Sequence, residues 1–154
     1  MRALVRLALI AAAVSTAACG GGPARPAALD TRHDACRSCR MPVSDPKLAA
    51  QLAAPGEEAL FFDDIGCLRD FLAGGSAATP RAVAFVADHR TGAWVPASEA
   101  LFSRCPAIET PMGSHLLAWA DGSSRDADPA HAGCAPLERS SVFGAAGPPA
   151  GRKG

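Results

Sequence analysis

Three sulfur atoms fall close together in Cys36-Arg37-Ser38-Cys39-Arg40-Met41-Pro42. Thiolate and thioether ligands suit a soft ion such as Cu(I) and are poor ligands for Mg, Ca or Mn, which take oxygen. The methionine sets the cluster apart from the usual zinc donors, which are Cys, His and carboxylate. Cys39 and Met41 converge only if the chain turns between them, and Pro42 stiffens the exit from that turn. Three other readings of the same residues stay open. Cys36 and Cys39 can be half of a structural zinc site, although Cys67, Cys105 and Cys134 stand singly and supply no second close pair. They can be a thiol–disulfide redox pair, although such a pair ordinarily opens a long helix, which Pro42 would break. They can also be a plain disulfide of an oxidising compartment.

A second candidate lies in Thr110-Pro111-Met112-Gly113-Ser114-His115. Methionine in a regular element is usually core filler, but Met112 stands between Pro and Gly, in a tight loop that exposes it. His115 follows three residues on, and a neutral imidazole also binds copper. The third cluster is Asp63-Asp64-Ile65-Gly66-Cys67. The two acids read as a helix cap and a loop-fixing hydrogen-bond network, not as an acid–base pair, because no nucleophile or partner base accompanies them. Cys67 falls in the first turn of that helix, a position that lowers a thiol's pKa. His33, His89 and His131 have no spacing partners and read as solvated.

The elements that must position these residues follow from periodicity and punctuation. Met41–Val43 is a short extended piece ended by the Ser44-Asp45-Pro46 turn. Leu48–Ala53 and Glu57–Phe62 flank Pro55-Gly56 and predict a hairpin. Ile65, Leu68, Phe71 and Leu72 recur at helical spacing between an aspartate cap and Gly74-Gly75. Arg81–Asp88 predicts a strand, Trp94-Val95 an extended piece, and the residues after Pro96 a second short helix. Ala107–Ile108 and His115–Ala120 are the last strand candidates. Strand pairs followed by a short helix occur twice, so the class is α+β, a small domain of two loosely similar halves.

The chain has 154 residues, a formal net charge of zero and 5% aromatic residues, with no Tyr. No basic cluster or stacking platform is present, which argues against a nucleic-acid partner. Residues 1–18 carry Arg2 and Arg6, a short apolar run and a small-residue exit, which is the pattern of a secretory signal peptide. The run is far below the ~20 residues a spanning helix needs. Cys19 directly after Ala17-Ala18 resembles a bacterial lipobox, in which the cysteine is lipidated; Thr16 departs from that pattern, which usually has Leu there. Residues 19–33 then read as a lipidated tether, 34–121 as the folded copper-binding domain and 122–154 as a flexible C-terminal tail, polar or rich in Pro and Gly except for PLERSSVF.

The order CRSCRMPVSD, FFDDIGCLRDFL and ETPMGSHLLAWAD resembles the NosL family of nitrous-oxide-reductase accessory lipoproteins, over roughly residues 34–121. AVAFVADHRTGAW is similar to that family's middle segment, and the signal with Cys19 fits it too. The resemblance implies a copper chaperone facing the periplasm, lipid-anchored to a membrane of the bacterial envelope. Such a protein binds one Cu(I) and helps to assemble the copper–sulfide centre of nitrous oxide reductase. It implies metal ligation by Cys39, Met41 and Met112, with Cys36 and His115 as further candidates, and no enzymatic activity. Cys134 and the C-terminal extension fall outside the family pattern. A periplasmic thiol–disulfide oxidoreductase and a zinc-stabilised structural lipoprotein are the alternatives.

Overall fold

The computed structural model describes residues 22–75 and 79–151. The expected signal peptide and Cys19 lie outside the described residues. Among those residues, no helix is long and apolar enough to cross a membrane.

The expected hairpin forms from β1 (Ala50–Ala53) and β2 (Leu60–Phe62), which pair antiparallel. Helix α1 (Ile65–Ala73) follows, then β3 (Val83–Ala87) and the edge strand β4 (Trp94–Pro96), completing a four-stranded antiparallel sheet in the order β2-β1-β3-β4. Pro96 is tolerated because β4 is at the edge, where a missing N–H breaks no ladder. Strands β5 (Leu101–Arg104), β6 (Leu116–Trp119) and β7 (Ala135–Leu137) make a second antiparallel sheet with β5 in the centre. Helices α2 (Gly122–Asp126) and α3 (Arg139–Phe143) complete an α+β domain of two small sheets and three helices.

Successive strand residues face opposite sides of a sheet, and both faces here are covered. Ala50, Leu52, Phe62, Ala84 and Val86 of the first sheet join Phe102, Leu116 and Ala118 of the second, with Ile65 and Leu68 of α1, in one core. On the other face of the first sheet, Ala49 and Phe61 pack with Val43, and Ala27, Leu29 and Trp94 cover them. On the other face of the second sheet, Leu117 and Trp119 pack with Leu48 and Cys105.

The structure corrects four sequence expectations. The reading of 19–33 as a tether fails for its second half, because Ala27 donates its N–H to Gln51 Oε1 at 2.8 Å and accepts from Gln51 Nε2 at 3.1 Å. Gln51 is fully buried in β1, and the Ala27 backbone supplies the partners its amide needs. The reading of 122–154 as a flexible tail fails because β7 pairs with β5, and Val142 of α3 is buried in the main core with Phe143 packed against it. The apolar residues of PLERSSVF do this, and Ala150 bridges Val83 beyond them. The helix expected after Pro96 is a turn leading into β5, where Phe102 and Ser103 alternate between two buried faces. Ala107–Ile108 is likewise a turn, closed by the Ile108 N–H to the Cys105 carbonyl at 2.9 Å.

Candidate metal centre

Residues 36–39 form a tight turn with no helix. The Arg40 N–H donates to the Cys36 carbonyl at 2.9 Å, and Arg40 itself has φ +67°. The Cys36 N–H then donates to the Met41 carbonyl at 2.8 Å, while Ala35 and Pro42 form a β-bridge. The Arg37 N–H donates to the Phe61 carbonyl at 2.7 Å, so the turn lies along β2. Immediately after β2, Asp64 caps α1 by accepting the Gly66 N–H, which places Cys67 in the helix's first turn.

The result is a cluster of three free thiols, Cys36, Cys39 and Cys67, whose Sγ atoms all lie within 4.8 Å of one another. Such a triad can hold a metal ion. Cys36 and Cys67 are buried and Cys39 is partly exposed. Burial works against ionisation of Cys36, but N–H groups of Cys39, Asp63 and Ser38 point at its sulfur and hold its pKa below the ordinary thiol value. The Cys39 N–H reaches that sulfur at 3.5 Å. Burial raises Cys39, and the neighbouring Cys36 adds to this, while a hydrogen bond from the Met41 N–H opposes it. Cys67 is pushed far up, first by burial and then by the charge of Cys36. The expected depression at a helix N-terminus is therefore overturned: the desolvation of a nearly inaccessible sulfur outweighs it. The triad can hold a metal ion, because three sulfurs lie within 4.8 Å of one another and N–H groups are aimed at two of them.

The two buried aspartates tie both methionine loops to this point. Asp63 accepts from the Ser44 N–H at 2.8 Å and from Ser44 Oγ at 3.1 Å, fixing the segment after Met41. Asp64 accepts from the Met112 N–H at 3.2 Å and from Ser114 Oγ at 2.5 Å, fixing the loop around Met112. The cap and loop-fixing role read from the sequence is thus what these acids do. Gly66 is necessary to the arrangement, because a Cβ there would meet Ser114 Cβ at 2.7 Å. Met41 and Met112 are half exposed, at 52% and 50%.

Of the candidate ligands, the structure brings Cys39 and Cys36 into the cluster. Met41 and Met112 lie at the surface, on backbone segments bonded to Cys36 and to Asp64 respectively. His115 is not part of the triad; its Nδ1 donates to the Ile108 carbonyl at 2.8 Å. Cys67 is the residue that sequence spacing missed. Its place after the helix-capping pair, directly following Phe61-Phe62, was the available signal.

Two further expectations change. Cys105 and Cys134 are not single but joined in a disulfide. His89 and His131 are not free in solvent: His89 Nδ1 donates to Asp128 Oδ2 at 2.7 Å, and His131 stacks edge-on against Trp119 with centroids 5.3 Å apart. The Trp119 Nε1–H shares the same carboxylate oxygen at 2.9 Å. His33 is exposed, beside Asp30.

No protein-family model matches this chain, and no curated protein or solved structure is significantly similar to it.

Proposed function

We propose that this protein is a Cu(I) carrier of the NosL type, a periplasm-facing envelope lipoprotein anchored through Cys19. In this reading it delivers copper for assembly of the copper–sulfide centre of nitrous oxide reductase and catalyses no reaction itself. The observation that carries the proposal is the convergence of Cys36, Cys39 and Cys67 within 4.8 Å. Sulfur donors alone suit Cu(I), and two exposed methionines on adjoining loops suit transfer more than storage, since a thioether is neutral and binds weakly. The client enzyme, the anchor and the choice of copper over zinc are supported by the sequence resemblance and the chemistry of the donors.

An anaerobic titration against a chromophoric Cu(I) chelator tests this. The expected result is one Cu(I) per chain, with affinity falling at least about 100-fold in Cys39→Ser and zinc failing to displace the ion. A chain that prefers zinc, or that turns over insulin disulfides with a reductant, would assign the thiols to structure or to redox exchange and overturn the proposal.

A further inference from the structure

Gly22 and Gly151, the first and last described residues, meet at one place. Arg81 Nη2 donates to the Gly22 carbonyl at 3.2 Å, and the Gly151 N–H donates to the Ala82 carbonyl at 2.9 Å. Ala150 bridges Val83, and the Ala84 N–H donates to the Pro149 carbonyl at 2.8 Å, so residues 149–151 run beside the start of β3. That place is one pole of the first sheet. Val83 lies opposite Ala53, the last residue of β1, just before the Pro55-Gly56 turn. The thiols lie towards the other pole. The turn that carries Cys36 and Cys39 is bonded to Phe61, which is level with Gln51 and Phe85, and Cys67 lies beyond the Phe62 end of β2. Phe85 is four residues past Arg81, about 13 Å of extended chain.

We propose that the pole carrying Arg81 is a membrane-contact surface, with Arg81 set against phospholipid phosphates and the thiols directed away from the bilayer. The proposal rests on the anchor at Cys19 put forward above. Cys19 is three residues from Gly22, and three steps span at most about 11 Å, so lipid on Cys19 brings phosphate headgroups to the Arg81 guanidinium. Arg81 is exposed, and its bond to Gly22 uses one of five N–H groups, leaving others for a phosphate. The charges around it are mixed. Glu57 and Glu58 line the neighbouring surface with Thr79 and Ala82, while Arg25 is exposed and Arg152 and Lys153 follow Gly151 in the sequence. This pole therefore orients a chain that acyl groups already hold, and is too weakly basic to bind a bilayer by itself. The thiols then meet a partner from the aqueous side, not from within the headgroup layer.

The test uses the mature, reduced, isotope-labelled chain in nanodiscs of phosphatidylethanolamine and phosphatidylglycerol doped with a gadolinium-chelate lipid. Paramagnetic relaxation falls with the sixth power of distance. Its enhancement at the Ala82 amide is expected to exceed that at the Cys39 and Cys67 amides by at least about tenfold. Arg81→Glu is expected to bring that ratio down to about threefold or less, with Arg81→Lys restoring it and the thermal midpoint unchanged in both. Equal enhancement at the two poles of the wild type, or a larger one at Cys67, would overturn the proposal while leaving the anchor intact. A wild-type pattern in Arg81→Glu would remove Arg81 from the contact. A mature chain whose mass shows no acyl groups on Cys19 would overturn the anchor, and the membrane contact with it.

Discussion

Among the described residues, the cysteines form two sites of opposite character. In one, Cys36, Cys39 and Cys67 are free thiols held near one another by a turn and a helix start. In the other, Cys105 and Cys134 are covalently joined, with Cα atoms 4.3 Å apart. The joined pair lies where regular structure is thin: beyond β6 come a five-residue helix, a three-residue 3-10 turn (Pro129–His131) and a three-residue strand. The free set lies where the scaffold is strong, between the four-stranded sheet and the nine-residue helix α1. Permanence is supplied by a bond where regular structure is thin. Exchangeable sulfurs are placed where backbone N–H groups and buried carboxylates can position them without one.

The largest test of this contrast is deletion of everything after Asp121. That removes β7, the disulfide partner Cys134 and the buried side chain of Val142 with Phe143 beside it. Each large apolar side chain contributes roughly 1.5–3 kcal/mol and the disulfide roughly 2–5 kcal/mol, against a total of about 5–15 kcal/mol. The shortened chain should show no cooperative thermal transition; a normal melt would mean that the first sheet and α1 stand alone.

A smaller perturbation separates the two sites directly. Cys105→Ala with Cys134→Ala should cost about 3 kcal/mol by denaturant unfolding and leave copper stoichiometry unchanged. Loss of copper along with stability would show that the sites are not independent.

The smallest effect concerns the junction between the sheets. Asp88 is buried at the end of β3, and its carboxylate accepts from the Ala120 N–H at 2.8 Å just after β6. Burial raises its pKa, but hydrogen bonds from Ala120, Ser124 and Thr91 outweigh that and lower it from 3.8 to about 2. Because the folded value is depressed, the stabilisation is present above pH ~4 and is lost as pH falls towards 2. Asp88→Asn should therefore cost about 2 kcal/mol at neutral pH and flatten the acid limb of a stability–pH curve. An unchanged limb would place acid sensitivity elsewhere, with Asp128 the next group to examine, since it too is depressed through its bonds to His89 and Trp119 despite its burial.

The two regions were also unequally legible in the sequence. The first sheet and α1 announce themselves, because Pro55-Gly56, the aspartate cap and Gly74-Gly75 are local signals acting within a few residues. The second half resists reading. Its strand β5 looks helical after Pro96 and becomes a strand only through partners 12 or more residues away, such as Leu117 opposite Ser103 and Leu137 opposite Phe102. The short elements after Gly122 have almost no local propensity and gain their stability from the core contact of Val142 and from the disulfide. At the metal centre, Cys36 and Cys39 were visible as a pair in one turn. Cys67 was not, because only the return of the chain from β2 into α1 brings it there. The roles of Asp63 and Asp64 were legible in kind, whereas which loops they hold depends on tertiary structure.

Gln51 has a consequence for where the protein can work. By gripping Ala27 it ends any freely extended leader at that residue. Eight backbone steps separate Ala27 from Cys19, and a chain gains at most about 3.5 Å per step, so the two lie within about 28 Å. That is near the diameter of a domain of about 100 residues. Under the proposed anchor at Cys19, the folded body would have a leash no longer than itself. It could then turn to present its thiols to a neighbour on the same surface but could not travel far to find one.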